Sequence, residues 1–163
     1  ANIIHAAADT EGEAFLKINP DHPGDHRLSE QGVPTRLITV DGLLNEIKPS
    51  SVSLIKIDVQ GAETKVIEGA RALLTKHRPV LFVEIDDDAL LDMDTSARQL
   101  LDLMIGLGYS IYILKDNGRS QQLSVDEVMA IITKQGTYID CLFLPETDLS
   151  TRNDFSSNTG ITS

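Results

Sequence analysis

Acidic and amide side chains occur where an apolar strand pattern gives way to a helix pattern. The stretch SLIKIDVQGAETKVIEGARALL, residues 53–74, carries Asp58, Gln60, Gly61 and Glu63 at this junction. A carboxylate in such a place can orient a hydroxyl group and accept its proton, which is general-base chemistry. The same residues also suit a structural role, in which Asp58 caps the helix, Gly61 supplies the turn and Glu63 favours the helix dipole. The junction alone leaves both interpretations open.

The surrounding pattern predicts an α/β domain, because apolar strand runs alternate with amphipathic helices. Strands are predicted at 2–7, 14–18, 35–40, 53–59, 79–85, 110–114 and 139–145, and helices at 41–48, 62–76, from Ser96 to Gly108 and from Ser124 to Gly136. Such sheets are largely parallel and bind ligands outside the carboxyl ends of their strands. Asp58 and Glu84 are therefore expected at the rim of a ligand crevice. Gly69, in the middle of its predicted helix, indicates a close approach to the sheet.

The remaining segments read as loops. Residues 19–34 are rich in Pro, Gly, Asp and His, and residues 86–95 are polar, so both are predicted to be exposed connections. His22 and His26 could suggest a metal site, but Pro and Gly between them exclude a helix face, and we expect no bound metal. The three aspartates at 86–88 could ligate a cation, although a solvated loop is the favoured interpretation.

Composition limits the class of protein. The 163 residues fit one domain, which we place at 1–146, followed by a polar, aperiodic and disordered tail at 147–163. A net charge of −11 argues against nucleic acid or anionic lipid as a partner. No apolar run is long enough to cross a membrane. The single cysteine, Cys141, is expected to be buried, and a cytoplasmic location fits a chain without disulfides.

A longer stretch carries a resemblance to a known family. LIKIDVQGAETKVIEGARALLTKHRPVLFVEI closely resembles the signature of FkbM-type methyltransferases, S-adenosylmethionine-dependent enzymes with a class I Rossmann-like fold. The family pattern there is I-K-I-D-V-E-G-A-E, then R-P and an apolar strand that ends in glutamate, so Gln60 replaces the usual glutamate. Upstream, AAADTEGEAFL resembles the family's A-x-S-D-x-x-G segment, and LITVDGLL resembles T-L-D-D-L-L. The resemblance covers about residues 4–86.

The resemblance implies an S-adenosylmethionine-dependent O-methyltransferase that acts on a hydroxyl of a sugar or another small metabolite. It implies a mostly parallel sheet whose last strand is antiparallel. The residues it assigns are Asp58 and Glu84 to catalysis, Ala7, Ala8, Asp9 and Asp58 to the cofactor, and Gln60 and Glu63 to the acceptor. The expected partner is a small-molecule or glycan acceptor, and the protein could form homo-oligomers.

The family's glycine-rich cofactor loop and the acidic end of its second strand have no counterpart in residues 1–163. By the family topology the chain starts at about the third strand, so the N-terminal strands are missing and residues 1–163 alone are expected to be inactive. Two alternatives stay open. One is an incomplete or degenerate methyltransferase-like domain that acts as an interaction module. The other, less favoured, is a phosphatase-like hydrolase with Asp58 as nucleophile, whose usual second aspartate would be replaced by Gln60.

Overall fold

The computed structural model describes residues 5–21, 27–114 and 120–146. The elements in chain order are β1 (Ala6–Ala7), β2 (Gly12–Lys17), β3 (Arg27–Ser29), β4 (Val33–Ile38), α1 (Val40–Ile47), β5 (Leu54–Ile57), α2 (Glu63–Glu68), α3 (Arg71–His77), β6 (Val80–Ile85), α4 (Asp87–Leu91), α5 (Ala97–Gly106), β7 (Tyr109–Leu114), β8 (Ser120–Leu123), α6 (Val125–Gln135) and β9 (Ile139–Pro145). The predicted α/β class is confirmed. The histidine pair and the predicted tail lie outside the described residues.

The strands form two sheets. One has four strands in the order β1-β4-β2-β3, and the other has five in the order β5-β6-β9-β7-β8. Only β1 with β4 and β5 with β6 are parallel among the described pairs, and the other pairs are antiparallel. The prediction of a mostly parallel sheet is therefore wrong, whereas the antiparallel last strand is confirmed, since β9 runs against both of its neighbours.

Short connections account for two of the antiparallel pairs, β7 with β8 and β2 with β3. A parallel pair needs a crossover of a dozen or more residues, whereas β7 and β8 are separated by five residues and pair as a hairpin. The strand pattern of β8 was missed because its sequence, SQQL, shows little apolar alternation. In the other sheet, β3 forms inside the segment 19–34 that was predicted to be a loop, because β2 and β3 pair as antiparallel neighbours.

The hydrophobic core lies on one face of the five-stranded sheet. In β6 the side chains of Leu81, Val83 and Ile85 are fully buried, and those between them are partly exposed. Helices α2, α3 and α5 contribute their apolar faces to the same core, where Cys141 is also buried. Burial and nearby Asp140 raise the pKa of the Cys141 thiol to about 12.

The helix predicted at 62–76 is broken in two, and Asp41 explains the break. Its backbone N–H donates to the Gly69 carbonyl over 2.9 Å. In a continuous helix that carbonyl would accept from an N–H group of the next turn. Its carboxylate accepts from the N–H groups of Ala72 (2.9 Å) and Leu73 (2.8 Å). Asp41 therefore caps α3 rather than its own helix α1, whose N-cap is Thr39.

Other helix ends follow the predicted chemistry. Ser124 and Glu127 form a reciprocal capping box at the start of α6, and Gly136 closes that helix in the left-handed conformation. Ser96 caps α5 as its sequence position indicates. The segment 86–95 is not only a loop, because it contains α4, whose N-cap Asp86 accepts from two backbone N–H groups.

Arg78 ties the end of α3 to the turn that precedes β7. Its guanidinium donates to the Leu107 carbonyl over 2.6 Å and to the Gly108 carbonyl. It also lies 4.5 Å from the ring centroid of Tyr109, which is fully buried. These contacts satisfy two carbonyls at the end of α5 and cover the tyrosine ring with a cation.

Candidate active site

Three carboxylates form a row at one end of the five-stranded sheet. Lys56 pairs with Phe82 and Ile57 with Val83 in the parallel β5–β6 register, so Asp58 comes opposite Glu84 at the next position. Glu84 pairs in turn with Asp140 on β9. Paired residues point to the same face of a sheet, which brings the two predicted catalytic residues together and adds Asp140, a residue that sequence reasoning missed.

Gln60 joins the two predicted catalytic carboxylates. Its side-chain nitrogen lies 3.2 Å from Asp58 Oδ1 and 3.2 Å from Glu84 Oε1. Ionised carboxylates only accept hydrogen bonds, so the amide must present its NH₂ group to both. We call Asp58 and Glu84, together with the Gln60 amide that joins them, the bridged pair.

Asp58 is occupied on both of its oxygens. Lys56 Nζ lies 2.7 Å from Oδ2, while Oδ1 receives the Gln60 amide. The hydrogen bond from Lys56 is the main cause that lowers the pKa of Asp58, and it raises the pKa of Lys56 in return. Asp58 makes no helix cap: the N-cap of α2 is Ala62, without a side-chain bond. The capping alternative for Asp58 is therefore wrong.

Glu84 has the opposite environment. Burial is the largest cause that raises its pKa, followed by the negative charges of Asp58 and Asp140, and the Gln60 amide offsets only part of this. Its Oε1 accepts from Gln60, while Oε2 has no hydrogen-bond partner among the described residues. Glu84 thus has a raised pKa and one oxygen without a partner among the described residues, whereas Asp58 has a lowered pKa and two occupied oxygens.

The loop that carries Gln60 is held in an unusual conformation. Gln60 has φ of 54° and Gly61 has φ of 100°, both in the left-handed region. A Cβ atom at position 61 would lie 2.2 Å from the Ala89 carbonyl oxygen, so this turn requires glycine. Glu63 Oε1 accepts from the N–H groups of Val59 (3.1 Å) and Gly61 (3.2 Å) and fixes the loop from the other side.

Glu63 itself is only 2% exposed, and its Oε2 is buried without a partner among the described residues. Sequence reasoning expected it on the rim beside an acceptor. The observed carboxylate instead turns into the loop, where it binds backbone. Contact of Glu63 with an acceptor stays a prediction, and it would require this loop to move.

Three of the four residues predicted to bind the cofactor lie at the end of β1 and just after it. Ala7 ends β1, Ala8 is buried and donates to the Ile38 carbonyl over 2.9 Å, and Asp9 is exposed. The Ala8 carbonyl contacts Gly69, between α2 and α3. No hydrogen bond within the described ranges joins this segment to the bridged pair, which contains Asp58, the fourth residue predicted to bind the cofactor.

The aspartates at 86–88 serve helix ends. Asp86 caps α4, and Asp87 accepts from the Ala97 N–H over 2.7 Å at the start of α5. Over residues 5–21, 27–114 and 120–146, no group of three His, Cys, Asp or Glu side chains is arranged to hold a metal ion. None of the helices in those ranges is long and apolar enough to cross a membrane.

Comparison with known proteins identifies the family of the chain. The family model described as the methyltransferase FkbM domain matches residues 1–111, which include every residue of the bridged pair. The chain therefore belongs to the FkbM methyltransferase family.

One curated relative is the 2-O-methyltransferase NoeI of Sinorhizobium fredii (strain NBRC 101917 / NGR234). It is 38% identical over 65 residues, which cover 40% of this chain and 26% of the relative. The matched segment thus spans about a quarter of that protein's length. No solved structure matches the chain significantly.

Proposed function

We propose that this chain forms part of an S-adenosylmethionine-dependent O-methyltransferase with a class I Rossmann-like fold, which acts on a hydroxyl of a sugar or another small metabolite. Family membership supports methyl transfer. The observation that carries the proposal is the bridged pair, since it sets a carboxylate with an unoccupied oxygen beside one that is fully occupied, at the carboxyl ends of two neighbouring parallel strands.

Glu84 is the general base in this proposal. A hydroxyl acceptor must lose its proton as its oxygen takes the methyl group, and a base works best when its pKa is close to the working pH. Burial and the neighbouring carboxylates move the pKa of Glu84 in this direction, and its Oε2 has no partner among the described residues. Asp58, with a lowered pKa and both oxygens engaged, instead keeps Lys56 and Gln60 in place.

The residues present fit S-adenosylmethionine in charge. Its sulfonium is a cation, which suits the row formed by Asp58, Glu84 and Asp140, and the exposed carboxylate of Asp9 suits hydroxyl or amino groups of an adenosine. When bound, the cofactor supplies an activated methyl group. The protein then has to align acceptor and methyl group, and Glu84 Oε2 receives the proton.

The charge of the row also limits the acceptor. Three carboxylates near one position repel a phosphate or carboxylate group on the acceptor and favour hydroxyl groups, which donate hydrogen bonds to them. The relative's name refers to 2-O-methylation, which also favours a hydroxyl acceptor. Neutral sugars are therefore the acceptors to test first.

Titration calorimetry of the intact protein with S-adenosylmethionine, followed by transfer of a labelled methyl group to a panel of neutral sugars and sugar phosphates, tests the proposal. We expect binding, and transfer to neutral sugars in preference to sugar phosphates. An intact, folded protein that does not bind the cofactor would rule the proposal out. Glu84→Gln in the same assay separates proton transfer from binding, since binding should persist.

A second candidate is an interaction module without catalysis. Its support is the outer edge of β5, which pairs with no strand among the described residues, and Leu54 on that strand is 63% exposed. Open edges of this kind recruit other chains. Sedimentation of the intact protein distinguishes the candidates: stable self-association without cofactor binding would favour this second function.

A further inference from the structure

The neutral side chain of Gln60 lies between the carboxylates of Asp58 and Glu84. Among the described residues, its amide is the donor that reaches both Asp58 Oδ1 and Glu84 Oε1, at 3.2 Å each. Without it, two carboxylates on neighbouring strands would face each other, and within the described part of the chain Lys56, bound to Asp58, would be the cation that offsets their charge. Like charges so close repel, and each carboxylate would rotate away or take up a proton.

The backbone at Gln60 is strained in order to place this amide. A left-handed conformation costs a residue with a side chain roughly 1–2 kcal/mol, and glycine avoids most of that cost. The φ of 54° is nevertheless kept, with the loop fixed by Glu63 on one side and by the Ala89 carbonyl on the other. Lys48, Arg78 and Asp94 share this conformation, so the strain supports a role of Gln60 together with the two hydrogen bonds of its amide.

We propose that Gln60 is a positioning residue, whose permanently uncharged amide holds Asp58 and Glu84 in one arrangement that does not depend on pH. The inference rests on the proposed function for its meaning in catalysis. A glutamate at this position, as in the family pattern, could donate only while protonated. Above its pKa it would add a third carboxylate to Asp58 and Glu84, and Asp140 on β9 would increase the repulsion.

Gln60→Gly tests positioning without the risk of unfolding, because glycine relieves the backbone strain. We expect unfolding in denaturant at an equal or higher midpoint, together with a loss in kcat of roughly tenfold to a hundredfold from misplaced groups. Lys48→Gly is the matched control, since Lys48 is also left-handed, at φ of 50°, and lies at the C-cap of α1. It should keep its activity. Equal kcat for Gln60→Gly and the wild type would overturn the proposal.

Gln60→Glu tests the pH argument. At low pH the introduced carboxyl group carries one proton and can donate to one of the two carboxylates, so kcat should move toward the wild-type value. As pH rises, the ratio of mutant to wild-type kcat should fall at least about tenfold. Gln135→Glu, on the exposed last turn of α6, adds the same charge elsewhere and should leave the ratio constant. A constant ratio for Gln60→Glu would contradict the inference.

A readout without turnover separates this inference from the proposed function. Carbon-13 NMR of labelled Asp and Glu side chains in the intact protein gives the pKa values of Asp58 and Glu84 directly. The Gln60 amide lowers both, so Gln60→Gly should raise both. Unchanged pKa values would overturn the bridge. If the wild type transfers no methyl group, the proposed function alone is wrong. The NMR titration would still show whether Gln60 holds Asp58 and Glu84.

Discussion

Gly69 lies so close to Ala8 that a Cβ atom at position 69 would come within 2.0 Å of the Ala8 carbonyl oxygen. The contact joins the α2–α3 break to the segment that follows β1, and thus connects the two sheets. Sequence reasoning predicted a close approach at this glycine, and the structure confirms it. The partner, however, is the backbone of Ala8, which follows β1 and donates to Ile38 of the four-stranded sheet.

Replacement of Gly69 by leucine should destabilise the protein by about 1–3 kcal/mol, because the neighbour is backbone, which cannot rotate away. Denaturant melts measure the change. Gly106→Ala is the control: Gly106 ends α5 with open space around it, and alanine should raise stability by roughly 0.5–1 kcal/mol. A neutral Gly69→Leu variant would mean that Ala8 moves away.

Glu63→Ala should destabilise the protein by removing the acceptor of two backbone N–H groups. Val59 and Gly61 would then keep unsatisfied donors, each at a cost of about 1–3 kcal/mol where buried. Glu46→Ala, on the exposed face of α1, should change stability by less than about 0.5 kcal/mol. Equal stabilities for the two variants would show that Glu63 does not hold the loop.

Glu84→Gln should lower kcat about a hundredfold or more, whereas Asp58→Asn should lower it about tenfold, since general bases contribute 10²–10⁴-fold. Cofactor affinity should stay close to normal in both variants. Steady-state kinetics with a hydroxyl acceptor give both values, and Glu46→Gln is the control for loss of one exposed carboxylate. The reverse order of effects would return the role of base to Asp58.

The acid limb of the kcat/KM profile should report Glu84. The base must be ionised, so activity is lost as pH falls through its pKa, and that pKa is raised above the ordinary value for glutamate. Asp140→Asn removes one of the charges that raise it, and the limb should move to lower pH. Asp102→Asn, exposed on α5, should leave the limb in place. If the acid limb does not shift in Asp140→Asn, it reports the ionisation of a group other than Glu84.

Asp41→Ala should remove the cap of α3 and cost about 0.5–2 kcal/mol, because two N–H groups lose a carboxylate acceptor. The loss should also loosen the α2–α3 break. Hydrogen exchange at Ala72 and Leu73 measures it locally. Exchange as slow in the variant as in the wild type would indicate that other groups cap the helix.

Local chemistry was readable from the sequence where the partners are close in the chain. The capping box of Ser124 and Glu127, the glycine that closes α6 and the turn at Gly61 all depend on neighbours within a few residues. The pattern of strands and helices also gave the α/β class. Family membership is confirmed by the match over residues 1–111.

What the sequence could not give depends on contacts between distant segments. Asp41 acts on a helix some thirty residues away, so the break after Glu68 has no local signal. Asp140 joins the carboxylate row only through the antiparallel register of β9 on β6. The strand pattern also does not show that Lys56 contacts Asp58, because it does not say which face of the strand is covered.

The stacked pair of Arg78 and Tyr109 gives the protein an optical marker. The chain has no tryptophan and three tyrosines, of which Tyr112 is partly exposed and Tyr138 is 50% exposed. The tyrosine band of the near-ultraviolet circular dichroism spectrum, which needs rings in fixed surroundings, should therefore arise mainly from Tyr109. That signal reports whether α3, the end of α5 and β7 are packed, so it can reveal a compact state that keeps its helices but has lost this junction.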